Sequence, residues 1–183
     1  MKILLFAGSL RVNSFNKKLV YIVHTYLNDQ GIESTLIDLV NFVVPIYNED
    51  IEKTTGIPEL INNLTAYVKQ ADALFIATPE YNGSISSPLK NIVDWLSRCK
   101  PMRLVDKHLL LASASPGQFG GVRGIWHTRV PFEMLGVHVF PTMFSLPLAD
   151  KQFDGKNQLI DQSVDERLKK IVDQFVRYVK QLK

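Results

Sequence analysis

Gly8-Ser9-Leu10-Arg11-Val12-Asn13-Ser14-Phe15-Asn16 gathers hydroxyl, amide and guanidinium groups between the apolar run Ile3 to Ala7 and a helical apolar pattern at Leu19, Val20, Ile22 and Val23. A strand, a polar loop and a helix start together make an anion site, because the first helical N–H groups lack acceptors and the helix dipole is positive there. Ser9, Ser14 and Asn16 add side-chain donors, and Arg11 adds a charged fork suited to phosphate. Ser14 or Asn16 acting only as a helix cap would explain the same residues, so the loop alone decides nothing. It contains neither G-x-x-x-x-G-K-[ST] nor G-x-G-x-x-G, which argues against ATP or GTP and against a Rossmann dinucleotide site.

Two more loops follow strand-like runs. Pro79-Glu80-Tyr81-Asn82-Gly83-Ser84 comes after Ala73 to Thr78, and its main-chain groups could bond the polar edge of a flat heterocycle, with Gly83 permitting close approach. A turn before a helix would explain Asn82-Gly83 but would leave Tyr81 without a role. Ser115-Pro116-Gly117-Gln118-Phe119-Gly120-Gly121 comes after His108 to Ser113, and its three glycines mean bare backbone beside a ligand or a tight turn.

The elements that position these loops are legible as periodicities. Ile3 to Ala7, Ser34 to Leu39, Ala73 to Thr78, His108 to Ser113 and Val137 to Phe140 are five candidate strands, apolar on both faces and alternating with helical stretches. That alternation is how an α/β parallel sheet covered on both sides is built. Ser87-Pro88 reads as N-cap and first helical position, ahead of Leu89, Ile92, Val93 and Leu96. A helix from about Gly121 to Leu135 should end at Gly136 and kink at Pro131, and the capping-box pattern Ser163-Val164-Asp165-Glu166 should open the last helix. Trp95 lies off the apolar stripe of its helix and is expected on the surface, where a two-fold contact would bury it, the alternative being that it tucks sideways onto its own core in a monomer.

The chain has 183 residues, 46% apolar and 21% charged, with a net charge of +3, which fits one domain, residues 1–183, with a sizeable core. No dense basic tract indicates nucleic acid, and no apolar run approaches a membrane span. The single cysteine, Cys99, excludes an intramolecular disulfide and offers no metal cluster, so no metal and a cytoplasmic location are expected.

Taken together, one loop suited to phosphate and two suited to a planar ring describe a flavin mononucleotide site. The sequence resembles the NADPH-dependent FMN reductase family, which includes bacterial flavin, quinone, azo-dye and chromate reductases. The resemblance rests on G-S-x-R-x-x-S-x-N at 8–16, Val44-Pro45-Ile46-Tyr47 with Asn48-Glu49-Asp50, and Pro79 to Ser84 followed by Leu89-Lys90-Asn91 and Asp94-Trp95. The Ser115 to Gly121 loop completes it. It implies a flavodoxin-like three-layer sandwich with a five-stranded parallel sheet of order 2-1-3-4-5. It also implies that Ser9, Arg11, Ser14 and Asn16 hold the FMN phosphate. Pro79, Glu80, Tyr81, Asn82, Gly83 and Ser84 would line the ring edge, and Ser115, Gly117, Gly120 and Gly121 would approach from the far side. NADPH or NADH would deliver hydride to the flavin N5, and a small-molecule acceptor would then take electrons by a ping-pong sequence. No side-chain acid or base is required, so no catalytic residue is named. A homodimer, or a dimer of dimers, would form partly through the helix bearing Lys90, Asn91, Asp94 and Trp95. Some members carry Tyr-His where this chain has Trp126-His127, which with Pro131 sets the third loop's rim apart. The competing class is a non-enzymatic flavodoxin-type electron carrier. The positive net charge and the absence of a T-x-T-G-N-T loop weigh against it.

Overall fold

Residues 1–182 are described by a computed structural model. β1 (Lys2–Ala7), β3 (Ala73–Ala77) and β6 (His108–Ala114) are almost wholly buried and pair in parallel, β1 with β3 and β3 with β6. β2 (Glu33–Leu36) joins the outer side of β1. Successive side chains leave a strand on opposite faces, so Ile3, Leu5 and Phe75 enter one core while Leu4, Phe6 and Ile76 enter the other. α1 (Phe15–Asp29) and α6 (Gln162–Gln181) cover the first face. α3 (Glu59–Gln70), α4 (Ser87–Arg98) and α5 (Val122–Met134) cover the second, and the short α2 (Glu49–Thr55) runs ahead of α3. Each buried Leu, Ile or Phe in these layers contributes about 1.5–3 kcal/mol. The result is an α/β three-layer sandwich in which β1, β3 and β6 end together at one edge. No helix among the described residues is long and apolar enough to cross a membrane.

The fifth position of the sheet departs from expectation. β7 is only His138–Val139 and pairs with the start of β6, and β8 (Phe144–Leu146) pairs with its end, so two segments replace the single strand expected over Val137 to Phe140. Pro141 explains the break, because it has no N–H for the ladder once Phe140 has donated to Leu109 O at 2.8 Å. The second strand is also shorter than expected: after Leu36 the chain forms a 3₁₀ turn over Leu39–Phe42, capped by Asp38 through the N–H of Val40.

Helix starts shift in the same physical way. Ser86, not Ser87, precedes α4, and α6 is capped by Asp161, whose carboxylate accepts both the N–H and the hydroxyl of Ser163. α5 is helical through Pro131 and closes on Gly136 at φ +79°, as its terminal glycine predicted.

Trp95 is fully buried, contrary to the surface position expected of it. Its indole N–H donates to Pro45 O at 2.8 Å, and Tyr47 packs edge-on at 5.1 Å. One turn earlier, Asn91 accepts the N–H of Tyr47 at 2.8 Å and donates to Pro45 O at 3.1 Å. Segment 44–47 is therefore strapped along the flank of α4, and the outer face of that helix carries the Lys90–Asp94 ion pair. An exposed Trp95 is thus no longer an argument for a two-fold contact on α4. Large apolar groups are exposed instead on α5, at Trp126, Val130 and Met134.

At the opposite end of the sheet, His108 and His138 face each other across β6 and β7, and Nδ1 of His108 is buried without a hydrogen bond. Burial, reinforced by His138, lowers the His108 pKa below its usual value, with Asp106 opposing weakly. A base depressed in the folded state leaves the unfolded chain holding more protons, so stability falls as pH drops through the ordinary histidine range of about 6.5 and toward the folded value. The urea midpoint should decline from pH 7.5 to 5.5, and His108→Gln should flatten that slope; equal slopes for both chains would contradict it.

Candidate functional site

The three loops leave the adjacent ends of β1, β3 and β6, the crevice where open α/β sheets bind ligands. They are tied sideways to one another. Gly8 donates its N–H to Ala77 O at 2.8 Å, and its carbonyl accepts the hydroxyl of Ser86 at 2.5 Å. A side chain at position 8 would lie 3.1 Å from Leu89 Cδ2 and 3.2 Å from Ser86 Oγ, so glycine there lets α4 sit close to the end of β1 without displacing either. Ser86 was not among the residues singled out in the sequence. Its neighbour Ser87 fits the same capping pattern, and nothing local separates the two.

In the first loop, Ser9 is buried and its hydroxyl oxygen accepts the N–H of Arg11 at 3.3 Å. Ser14 precedes α1 with only 4% of its surface exposed, yet its hydroxyl caps no N–H of the helix. The Arg11 side chain is exposed and has no ion partner among the described residues. Asn16 is placed differently: its amide donates to Ala114 O at 3.0 Å and accepts Ala114 N–H at 2.9 Å. It joins the first loop to the third and retains a single amide hydrogen for anything else.

The second loop is a two-stranded hairpin, β4 (Glu80–Tyr81) with β5 (Ser84–Ile85), turned by Asn82 at φ +50° and Gly83 at φ +75°. Two successive positive φ values are what the tightest hairpin turn requires, and Asn-Gly supplies them. Pro79 and Ser84 are half-buried and Tyr81 is exposed on the rim, while Ser84 meets Nδ1 of His127 at 3.0 Å. Glu80 turns away toward α5, accepting the N–H groups of Arg123 and Gly124 and the Arg123 guanidinium at 2.5 Å. Burial pushes its carboxyl upward, but Arg123 and the two N–H groups together hold it below the usual range. Its carboxylate is thus engaged by the start of α5, and Gly124 is small because a side chain there would come within 2.9 Å of Glu80 Cα.

The glycines of the third loop differ in their surroundings. Gly117 is exposed, and its N–H donates to the Ser115 hydroxyl at 3.2 Å. Gly120 and Gly121 are buried against their own chain: added side chains would lie 2.7 Å from Pro147 N and 2.0 Å from Ser113 Oγ, and φ is positive at both. Their bareness serves the turn into α5. Arg123 lies over the exposed ring of Phe119 at 5.6 Å, and Trp126 is exposed one turn further on.

The unengaged hydroxyl of the mostly buried Ser14, a guanidinium without an ion partner and the open N–H groups of a helix start fit a phosphate, and a hairpin edge beside them fits a planar ring. Residues 1–151 match the NADPH-dependent FMN reductase family. The chain belongs to that family. This FMN reductase homologue is therefore an oxidoreductase, and FMN and NAD(P)H are the cofactor and co-substrate of its family. It is 35% identical over 173 residues to a probable NADPH:quinone oxidoreductase of Oryza sativa, covering 92% of this chain and 84% of the relative. It is 31% identical to an NAD(P)H-dependent FMN reductase of Pseudomonas aeruginosa, covering 100% of this chain and 97% of that one. The fold matches a flavoenzyme NAD(P)H:(acceptor) oxidoreductase of Paracoccus denitrificans at a TM-score of 0.80 and 22% identity, over 98% of this chain and 97% of that one.

Gly121→Ala should destabilise the reductase by at least about 2 kcal/mol, from the left-handed backbone and the collision with Ser113. Adding Ser113→Ala should restore part of that loss. Additive losses in a double-mutant cycle by urea unfolding would show that the two residues do not meet.

Proposed function

We propose that the chain binds FMN non-covalently and passes reducing equivalents from NAD(P)H to a quinone, flavin, azo compound or similar acceptor. The observation that carries this reading is the pair of unengaged donors at the start of α1, Ser14 inside and Arg11 outside. Ser9, Arg11 and Ser14 are assigned to the phosphate, and Asn16 adds its one remaining amide hydrogen while fixing the loop to Ala114. The main chain of Pro79 through Ser84 is assigned to the ring edge, and Ser115 with Gly117 to its far side. When bound, FMN supplies the capacity to accept hydride and release electrons.

The protein's own work is positional. Glu80 holds the hairpin to α5 as an ionised carboxylate and is a positioning residue, as are Gly120 and Gly121. With Glu80 engaged by Arg123, no side chain is assigned as acid or base. Tyr81, Phe119 and Trp126, exposed around the same loops, form an aromatic rim suited to flat substrates. Donor and acceptor are taken to use this approach in turn, which corresponds to a ping-pong sequence.

Arg11→Ala should weaken FMN binding to the apoprotein by about 10- to 150-fold, the equivalent of losing one charge-assisted contact of about 1.5–3 kcal/mol, and leave the unfolding midpoint unchanged. An unchanged dissociation constant, or release of FAD rather than FMN on acid treatment, would refute the assignment. Double-reciprocal plots at several acceptor concentrations should be parallel; intersecting lines would establish a ternary complex and a separate acceptor site.

A further inference from the structure

A cavity of about 740 Å³ opens beside the first loop. β2 lies across β1 from β3, and the cavity sits at that edge: Ala7 and Leu36 come from the two strand ends, and no residue of the hairpin or of the third loop forms a wall. It is therefore separate from the ring site, although Asn13 and Ser14 border it. Its size falls within the range of about 300–1,000 Å³ of small-molecule pockets.

The walls carry three ammonium groups, Lys17, Lys18 and Lys156, against one carboxylate, Asp38. Lys17 bonds Asp38 at 2.7 Å, and the other oxygen of Asp38 accepts the N–H of Val40, so this pair is fixed at the carboxyl end of β2. Lys18 rests over the rings of Phe15 and Phe153 at 5.6 and 5.2 Å. Lys156 has no carboxylate partner among the described residues. A rigid turn presents it: Asp154 accepts the N–H groups of Lys156 and Gln158, and Asn157 stands at φ +61°. Aromatic surface is present as well, from Tyr21 and from Tyr67, which is packed edge-on against Phe42 at 6.2 Å.

Uncompensated cations suit a phosphomonoester, a fixed carboxylate at a strand end suits sugar hydroxyls, and bare aromatic rings with the amides of Asn41 and Asn157 suit a heterocyclic base. We propose that this cavity is a second site, for a purine ribonucleoside phosphate, in which Lys156 and Lys18 meet the phosphate and Tyr67 meets the base. The same chemistry belongs to the adenosine 2′-phosphate end of NADPH and to a free nucleotide. The first source rests on the reductase reading above, and the second does not.

The test is calorimetric titration of the full chain, saturated with FMN so that the first loop is filled, with 5′-AMP, adenosine 2′,5′-bisphosphate and inorganic phosphate. At least one nucleotide should bind one to one, at least tenfold more tightly than inorganic phosphate. Lys156→Glu and Tyr67→Ala should each weaken it at least tenfold with FMN absorbance unchanged, and Lys156→Glu should leave the unfolding midpoint unchanged as well. No nucleotide binding by the wild type, or unchanged affinity in both variants, overturns the proposal. If NADPH is the source, the bisphosphate competes with NADPH and Lys156→Glu raises KM for NADPH but not for NADH. If a free nucleotide is the source, inhibition is non-competitive and both KM values stay the same. Flavin binding is read separately by absorbance, so failure of the FMN reading and failure of this one give different results.

Discussion

The side-chain amide of Asn16 reads the backbone of Ala114 twice, as donor and as acceptor, from a position 98 residues earlier in the chain. Both partners are buried, so each bond is worth about 1 kcal/mol when made, and each abandoned group costs about 1–3 kcal/mol. The geometric effect is larger than the energetic one. The bonds lock the start of α1 to the end of β6, and β3 lies between β1 and β6, so the loops on either side of the hairpin are held at a set separation. Gly8 to Ala77, Ser86 to Gly8 and Glu80 to the start of α5 then brace the same edge in a second direction.

This bracing explains a division of labour among polar residues that look alike in one dimension. Ser9, Ser14, Asn16 and Ser86 are all buried and lie near one another at the end of β1. Asn16 and Ser86 hold the chain to itself, whereas Ser14 keeps its hydroxyl clear of the helix it precedes. A preorganised anion site needs both kinds, because donors aimed at an absent charge would otherwise relax onto neighbouring carbonyls.

Much of the architecture was legible because it follows from burial. β1, β3 and β6 are apolar on both faces since helices cover both, and such runs stand out in any reading of periodicity. What escaped detection depends on contacts between distant segments. Trp95 lies off the stripe that faces the sheet, but segment 44–47 covers that flank, and no helical wheel displays a covering strap. A glycine signals that a side chain is forbidden without saying what forbids it; at Gly120 and Gly121 the obstacles are Pro147, Leu146 and Ser113. Glu80 sits in a loop motif, yet its charge is directed by α5, more than forty residues later. The wall of the cavity beside β2 likewise draws on residues from 7 to 157, which no local motif unites.

The interrupted fifth position has a further effect at the margin of the sheet. A continuous outermost strand presents a row of free amides and carbonyls on which a second chain can crystallise as added β-structure. Here that border is two residues, a proline-led departure, and three residues more, while the opposite border is the four-residue β2 bearing Glu33. Neither rim offers a run long enough to template another strand. The break at Pro141 thus makes the sheet a poor seed for aggregation, a protection that acts whether or not the loops at its far end ever meet a ligand.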